Sequence, residues 1–369
     1  MHTNKRNRLV ELGTECLADA LLELANRHED VENMVERLTA TPKENVKRFK
    51  AKLSGLKRRR RFLYRSQSFA FAEELRGILK DLQAGISDPQ TGTELVAAFY
   101  EADDAIFRQC DDSYGNIGDI FRIDAKNLFV SYASQCENKE GLIDLVLKLN
   151  RDDGYGIRDA LFHCASDYLP ESAIHSMVGQ LWDLAQQGED EYRTRHWILG
   201  IESLARQLKD PHLFEKARLV LWPELSTAAC IDIAQVYLEA EDAQTALSWL
   251  EKIPEGAGFK TQERDELLLT IYKTLGNQEQ LQEVAWRVFR RYRSKNTLAT
   301  LLDALDEDQP NSVIDEESQL ILQSDFLSYS DAQFLMEVDR LDDAETDTVS
   351  GEVYEKQWLS SWQMDEDLP

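Results

Sequence analysis

The stretch 109–122, "QCDDSYGNIGDIFR", returns in altered form at 151–162 as "RDDGYGIRDALF". Each copy carries two aspartates, a small residue, a tyrosine and a glycine, then an aspartate leading into an apolar run. The first holds Asp111, Asp112, Tyr114, Gly115, Asn116 and Asp119; the second holds Asp152, Asp153, Tyr155, Gly156 and Asp159. Asp112 to Gly115 suits a turn at the end of a helix, with Gly115 free to take positive φ. Asn116 is expected to cap the following helix, and Asp119 falls at its third position, where a negative charge meets the helix dipole. The second copy reads the same way with one residue fewer, Gly156 standing for Asn116 and Asp159 for Asp119. A helix–turn–helix unit every 40–41 residues is the signature of an α-solenoid. The pair therefore reads first as the corner of a structural repeat, and the expected fold is all-α with helical-repeat architecture.

The rest of the chain agrees with that class. "TECLADALLELANRH" places Leu17, Ala20, Leu21 and Leu24 at helical spacing behind Thr14 as cap, and "DVENMVERL" does so behind Asp30. "TPKE" (Thr41 to Glu44) is a capping box with proline at the first helical position; it opens a helix burying Val46, Phe49, Leu53 and Leu56. A helix from Ser68 to Leu82 follows, then "SDPQTGTE" as punctuation and another helix running to about Gln109. Sustained period-two alternation is missing throughout. Further on, "IDIAQVYLEAEDAQTALSWLEKIPEG" resembles a tetratricopeptide repeat, with Ala234, Tyr237, Ala246 and Leu250 at its packing positions. Thirty-five residues later Tyr272 answers Tyr237, and Gly276-Asn277 answers Glu241-Asp242. "LDEDQPNSVIDEESQ" (305–319) is acidic and interrupted by proline, and reads as a hinge or loop. The end, "WQMDEDLP", is expected to fray.

Composition bounds the function. The chain of 369 residues is 43% hydrophobic with 8 Pro and 17 Gly, a globular balance. No run approaches the ~18 apolar residues of a membrane span, so no membrane role is expected. Five scattered cysteines without a CxxC pair, and an N-terminus unlike a secretion signal, point to reduced thiols in the cytoplasm. Net charge is −26, unevenly placed: residues 1–65 carry about +7 and the remainder about −33. A body this acidic repels nucleic acid at long range and suits a basic protein partner.

Together, "LADALLELA", "RRFLYRSQSFAFAEEL" and the two aspartate corners, followed by repeat-like pairs, resemble a bacterial family of all-helical proteins defined by a domain of unknown function. The likeness spans about residues 9–300 and implies the fold; it implies no activity.

Three features carry candidate chemistry. The aspartate corners could gather hard oxygens for a divalent cation. They do not form an EF-hand, because the sixth position from Asp111 is Asn116 and the twelfth is Arg122; turn and cap chemistry is the plainer role. The second feature is the basic segment 43–65, with eleven Lys and Arg against one acid and with Phe62 and Tyr64 interleaved. Lys57, Arg58, Arg59, Arg60, Arg61 and Arg65 are its candidate phosphate- or partner-binding residues, and nearby rings could stack bases. The alternatives are an acidic partner, the protein's own acidic body or a solvated face. Third, "WRVFRRYRSK" (286–295) closes a repeat helix, where cations suit the dipole. Six scattered histidines lack metal-ligand spacing, and the common catalytic fingerprints are missing. No catalytic residue, metal or cofactor is expected.

The resulting expectation is a non-enzymatic scaffold that binds a protein partner, a basic one, through an acidic surface. Its parts are a short N-terminus (1–8), a helical lobe (9–180), tetratricopeptide-like repeats (181–304) and an acidic C-terminal segment (305–369). The second expectation is an accessory in a nucleic-acid transaction, gripping phosphate through 43–65. The third is a metal-dependent enzyme using the aspartate loops.

Overall fold

A computed structural model describes residues 2–188, 190–222, 224–254, 256–305, 310–324 and 327–338. The expected features of the C-terminal tail lie outside these. Among the described residues the chain is helical throughout, its one extended pairing being a single parallel bridge between Leu63 and Cys110. It divides into two compact units, Met1–Leu221 and Trp222–Pro369.

The first unit begins with α1 (His2–Glu11), α2 (Thr14–Ala25) and α3 (Glu29–Thr39). These are less buried than their periodicity implies: Leu17 and Leu21 are half-buried, whereas Leu24 and Leu38 stay exposed. Thr14 and Asp30 lie within their helices rather than capping them; α2 is preceded by Gly13 at φ +82°. α2 and α3 pack on each other and α3 leans on α5, which leaves the far face of the hairpin uncovered by described residues. The capping box at α4 (Pro42–Arg58) forms as expected: Thr41 Oγ1 accepts from the Glu44 N–H at 3.3 Å and Glu44 accepts from the Thr41 N–H at 2.8 Å. α4 buries Phe49, Leu53 and Leu56 against α5 (Ser68–Gly85), whose Phe71, Leu75 and Leu79 enter the same core.

α6 (Pro89–Tyr100) is capped by Asp88 and ends before Gln109, the limit expected from sequence. A short α7 (Asp103–Phe107) follows, and Arg158 engages both Tyr100 O and the Asp103 carboxylate at the junction. α8 (Asn116–Asp119) continues through a π-helical turn, Ile120–Ala125, into α9 (Lys126–Ala133). Gly92 lets α6 approach the Tyr132 ring of α9 more closely than any Cβ would allow. The unit closes with α10 (Lys139–Arg151), α11 (Ala160–His163), α12 (Glu171–Gln187), α13 (Glu191–Leu208) and α14 (Pro211–Leu221). One continuous apolar core runs from Phe49 to Ala217.

The second unit holds α15 (Thr227–Glu239), α16 (Ala243–Leu250), α17 (Thr261–Leu275), α18 (Gln278–Arg291), α19 (Lys295–Leu305), α20 (Pro310–Leu322) and α21 (Tyr329–Glu337). From α15 to α19 each helix packs on its sequence neighbour, as helical repeats require. Ala234, Tyr237, Ala246 and Leu250 are all buried. The 35-residue register returns in the corners. Glu241 and Gly276 take left-handed φ of +64° and +67°, and Asp242 and Asn277 cap the next helix by accepting from Thr245 N–H and Gln280 N–H.

The stretch read as a hinge, 305–319, is corrected over its described part. Pro310 starts α20 at the position where proline's missing N–H costs nothing, and Val313 and Ile321 turn inward. Glu317, acidic in a region that looked solvated, is fully buried. It receives Arg290 at 2.8 Å and Arg293 at 3.1 Å.

Candidate functional site

The two aspartate corners use their carboxylates on their own backbone. Asp112 Oδ1 accepts from Ile117 N–H at 2.8 Å, and Oδ2 accepts from Gly118 N–H at 2.9 Å. Asp153 accepts from the N–H groups of Tyr155, Gly156, Ile157 and Arg158, at 3.1, 2.9, 3.4 and 2.8 Å. Gly115 and Gly156 both take positive φ, +75° and +63°. The register is therefore ungapped: Gly156 corresponds to Gly115, not to Asn116. Nor does Asn116 cap α8. Gly115 precedes the helix, Asp112 supplies the acceptor, and the Asn116 amide donates to Ser68 Oγ at 3.2 Å. Asp111 turns to the Ser113 N–H and hydroxyl, which hold its carboxyl below the usual range, with Arg65 adding to the effect. Asp119 is exposed in the first turn of α8, and Asp152 is exposed at the end of α10. Among the described residues no three His, Cys, Asp or Glu groups are arranged to hold a metal ion.

The second corner is tied to α6 and α7, which lead into the first, by Tyr155 and by an arginine the sequence did not single out. Arg158 is buried and forks onto Asp103, with Nε to Oδ2 at 2.8 Å and Nη2 to Oδ1 at 2.7 Å. Two further N–H groups reach Leu149 O at 2.7 Å and Tyr100 O at 3.2 Å, so four of the five donors of the buried charge are hydrogen-bonded. Tyr155 stacks on Phe107 at 4.5 Å between ring centroids, joining the second corner to α7.

The basic segment comes to rest on the first corner. After α4 ends, Arg59–Tyr64 runs extended, and Leu63 exchanges hydrogen bonds with the chain opposite: its N–H donates to Gln109 O at 2.7 Å, and its carbonyl accepts from Asp111 N–H at 2.9 Å. Arg59 lies on the Phe71 ring and pairs with Glu74 at 2.8 Å, and Leu63 is half-buried; Arg60, Arg61, Phe62 and Tyr64 are exposed. Arg65 stacks over the ring of Tyr114 at 3.7 Å, so the two features singled out in the sequence share one surface. Lys57, Arg58, Arg60, Arg61 and Arg65 are exposed. Among the described residues Lys57, Arg60 and Arg61 have no carboxylate partner. The rings of Phe62, Tyr64, Phe69 and Tyr114 are 45%, 70%, 66% and 63% exposed.

The other basic-aromatic run behaves differently. Arg287 and Arg291 hold the buried Asp265 at 2.7 and 2.5 Å, Arg290 and Arg293 hold Glu317, and Arg293 also reaches Asp331 at 2.7 Å. Those arginines are internal ties of the second unit.

A groove of about 410 Å³ lies beside the second corner. It brings His163 and His196, far apart in sequence, to Asp159, whose Oδ1 is 3.5 Å from His196 Nδ1. Burial pushes the Asp159 carboxyl up, and His196 opposes that. Cys164, next to His163, is buried with its thiol pushed up to about 11 by desolvation, which disfavours the thiolate at neutral pH.

Residues 2–228 match the family of unknown function DUF6880. The chain belongs to that family. No curated protein and no solved structure matches it. The DUF6880 segment contains both aspartate corners, the basic aromatic surface and the groove, and extends just past the first compact unit.

Proposed function

We propose that this DUF6880 protein is a non-enzymatic helical scaffold that works by binding another macromolecule, and that its N-terminal unit docks a polyanion on the surface formed by Lys57–Arg65. The observation that carries the reading is the contrast between its two basic-aromatic runs. Arginines of residues 286–295 are neutralised by buried carboxylates of their own unit. Lys57, Arg60 and Arg61 are left in solvent beside uncovered rings, on a segment pinned by the Leu63 bridge. Exposed cations held in fixed geometry bind phosphate or carboxylate arrays with little ordering cost. The corners, in which Asp112 and Asp153 are engaged by backbone N–H groups, serve as joints of the scaffold. The scattered thiols support a reducing, cytoplasmic setting.

Retention of the full chain on a phosphorylated cation-exchange resin along a salt gradient tests this. The wild type is expected to elute well above low salt, and the Arg58→Ala/Arg60→Ala/Arg61→Ala variant close to the void. Flow-through of the wild type at low salt, or equal retention of both, defeats the proposal.

A second reading is supported by the charge of about −33 beyond residue 65: tetratricopeptide-like pairs of the second unit receive a basic protein segment. A labelled polylysine peptide reports on it. Binding unchanged by removal of residues 222–369 refutes it.

A further inference from the structure

The outer side of the Lys57–Arg65 surface is built for more than charge. We propose that its ligand is a single-stranded nucleic acid whose bases stack on the exposed rings while its phosphates meet the arginines; this rests on the polyanion reading above. Along this segment the exposed side chains are, in order, Arg60, Arg61, Phe62 and Tyr64, two cations followed by two rings. Phe62 and Tyr64 stand edge to face, 79° apart with centroids at 5.6 Å, so they do not stack on and cover each other. Tyr114 receives Arg65 on one face, and that guanidinium extends the flat, cationic surface. Phe69, in the first turn of α5, is the next exposed ring along the chain.

A carboxylate-rich protein would satisfy the arginines and leave the rings wet. A duplex would present phosphates with its bases already stacked inward. A single strand offers phosphates and free base faces together, which matches a platform of exposed cations beside exposed rings. Base–aromatic stacking tolerates any base, so weak sequence preference is expected. The acidic remainder of the protein does not cancel the site. Fields of exposed charges decay over roughly 8–10 Å at physiological salt, so contact is governed by the cations within the platform.

The test is fluorescence anisotropy of the full chain with a labelled oligothymidylate of about 16 nucleotides, the upper end of a single-module site size. A duplex of equal length and a polyglutamate peptide are run alongside. The expected result is tightest binding to the single strand, weakened about 5- to 100-fold by Tyr64→Leu or Phe62→Leu, the equivalent of one lost stacked base. Its logarithmic salt slope is expected to be about −2 to −4, at roughly −0.7 per phosphate contact, and shallower in Arg60→Ala/Arg61→Ala. Because all these side chains are exposed, their loss leaves the core intact. Duplex binding as tight as single-strand binding and indifferent to the rings overturns the inference while leaving the polyanion reading standing. So does preference for polyglutamate. No binding of any probe at low salt overturns both.

Discussion

Removing one partner of the Arg158–Asp103 pair is expected to be the most damaging single polar substitution in the first unit. In Asp103→Ala the guanidinium of Arg158, 5% exposed, keeps Leu149 O and Tyr100 O but loses both carboxylate bonds. A buried charge stripped of its counter-charge costs about 3–5 kcal/mol. Arg158→Met leaves Asp103, 2% exposed, with only the Asp104 N–H, and also abandons two buried carbonyls, a cost of similar size. For a cooperative unit of this length each kcal/mol moves Tm by about 2–4 °C, so each single variant should melt roughly 6–20 °C below wild type. The double variant Asp103→Ala/Arg158→Met removes both charges. It should cost about as much as one single variant, giving a coupling energy of at least about 2 kcal/mol. Far-UV circular dichroism melts of the four proteins measure the cycle. Single losses under about 1 kcal/mol, or additivity within about 0.5 kcal/mol, would show that the pair does not tie the second corner to α6 and α7.

Other substitutions probe the corners, the close approach, the caps and the thiols. Gly115→Ala and Gly156→Ala force a Cβ into left-handed backbone and should each cost about 1–2 kcal/mol in chemical denaturation; no loss would contradict the positive φ at those sites. Gly92→Ala drives a methyl into the Tyr132 ring and should cost about 1–3 kcal/mol despite alanine's better helix propensity, a melt at or above wild type arguing against the close approach. Hydrogen bonds from Thr91 hold the Asp88 carboxyl below its usual range, so its contribution is complete above the ordinary carboxylate range and lost as pH falls through the lowered one. Asp88→Ala should therefore lower Tm at neutral pH and match wild type in strong acid, and a pH-independent gap would refute the cap. Of the five cysteines only Cys16 is exposed, while burial pushes Cys110 and Cys164 up to about 11. A thiol reagent at neutral pH should label one site per native chain, and mass spectrometry finding modified Cys110 or Cys164 would contradict that burial.

Local chemistry was legible in the sequence; distant partnerships were not. The Thr41–Glu44 box and the corners at Glu241-Asp242 and Gly276-Asn277 are decided by residues within four positions of one another, and they appear where their spacing places them. Asn116 shows how local reading goes astray. A capping residue type sits at the right place, but Asp112, five residues upstream of Ile117, reaches the helix amides first and sends Asn116 to Ser68. Over 310–319 the hinge reading failed because acidity was taken as exposure, whereas Glu317 is buried against Arg290 and Arg293 from α18 and the turn after it. Arg158 and Asp103 carry no local signal at all; only the fold brings them together. The basic segment was visible by composition, and what composition hides is which of its arginines are already paired.

The bridge between Leu63 and Cys110 has a kinetic consequence. It joins a strap that also leans on α5 through Arg59 to a corner far along the chain, so closing it requires α5 to α7 to be in place beforehand. The strap cannot order early, and once formed it cannot open by local fraying without releasing the amides of Leu63 and Asp111 together. In hydrogen–deuterium exchange those two amides should respond to denaturant as part of the first unit's cooperative opening, while their neighbours at Arg60 and Phe62 exchange as freely as any loop.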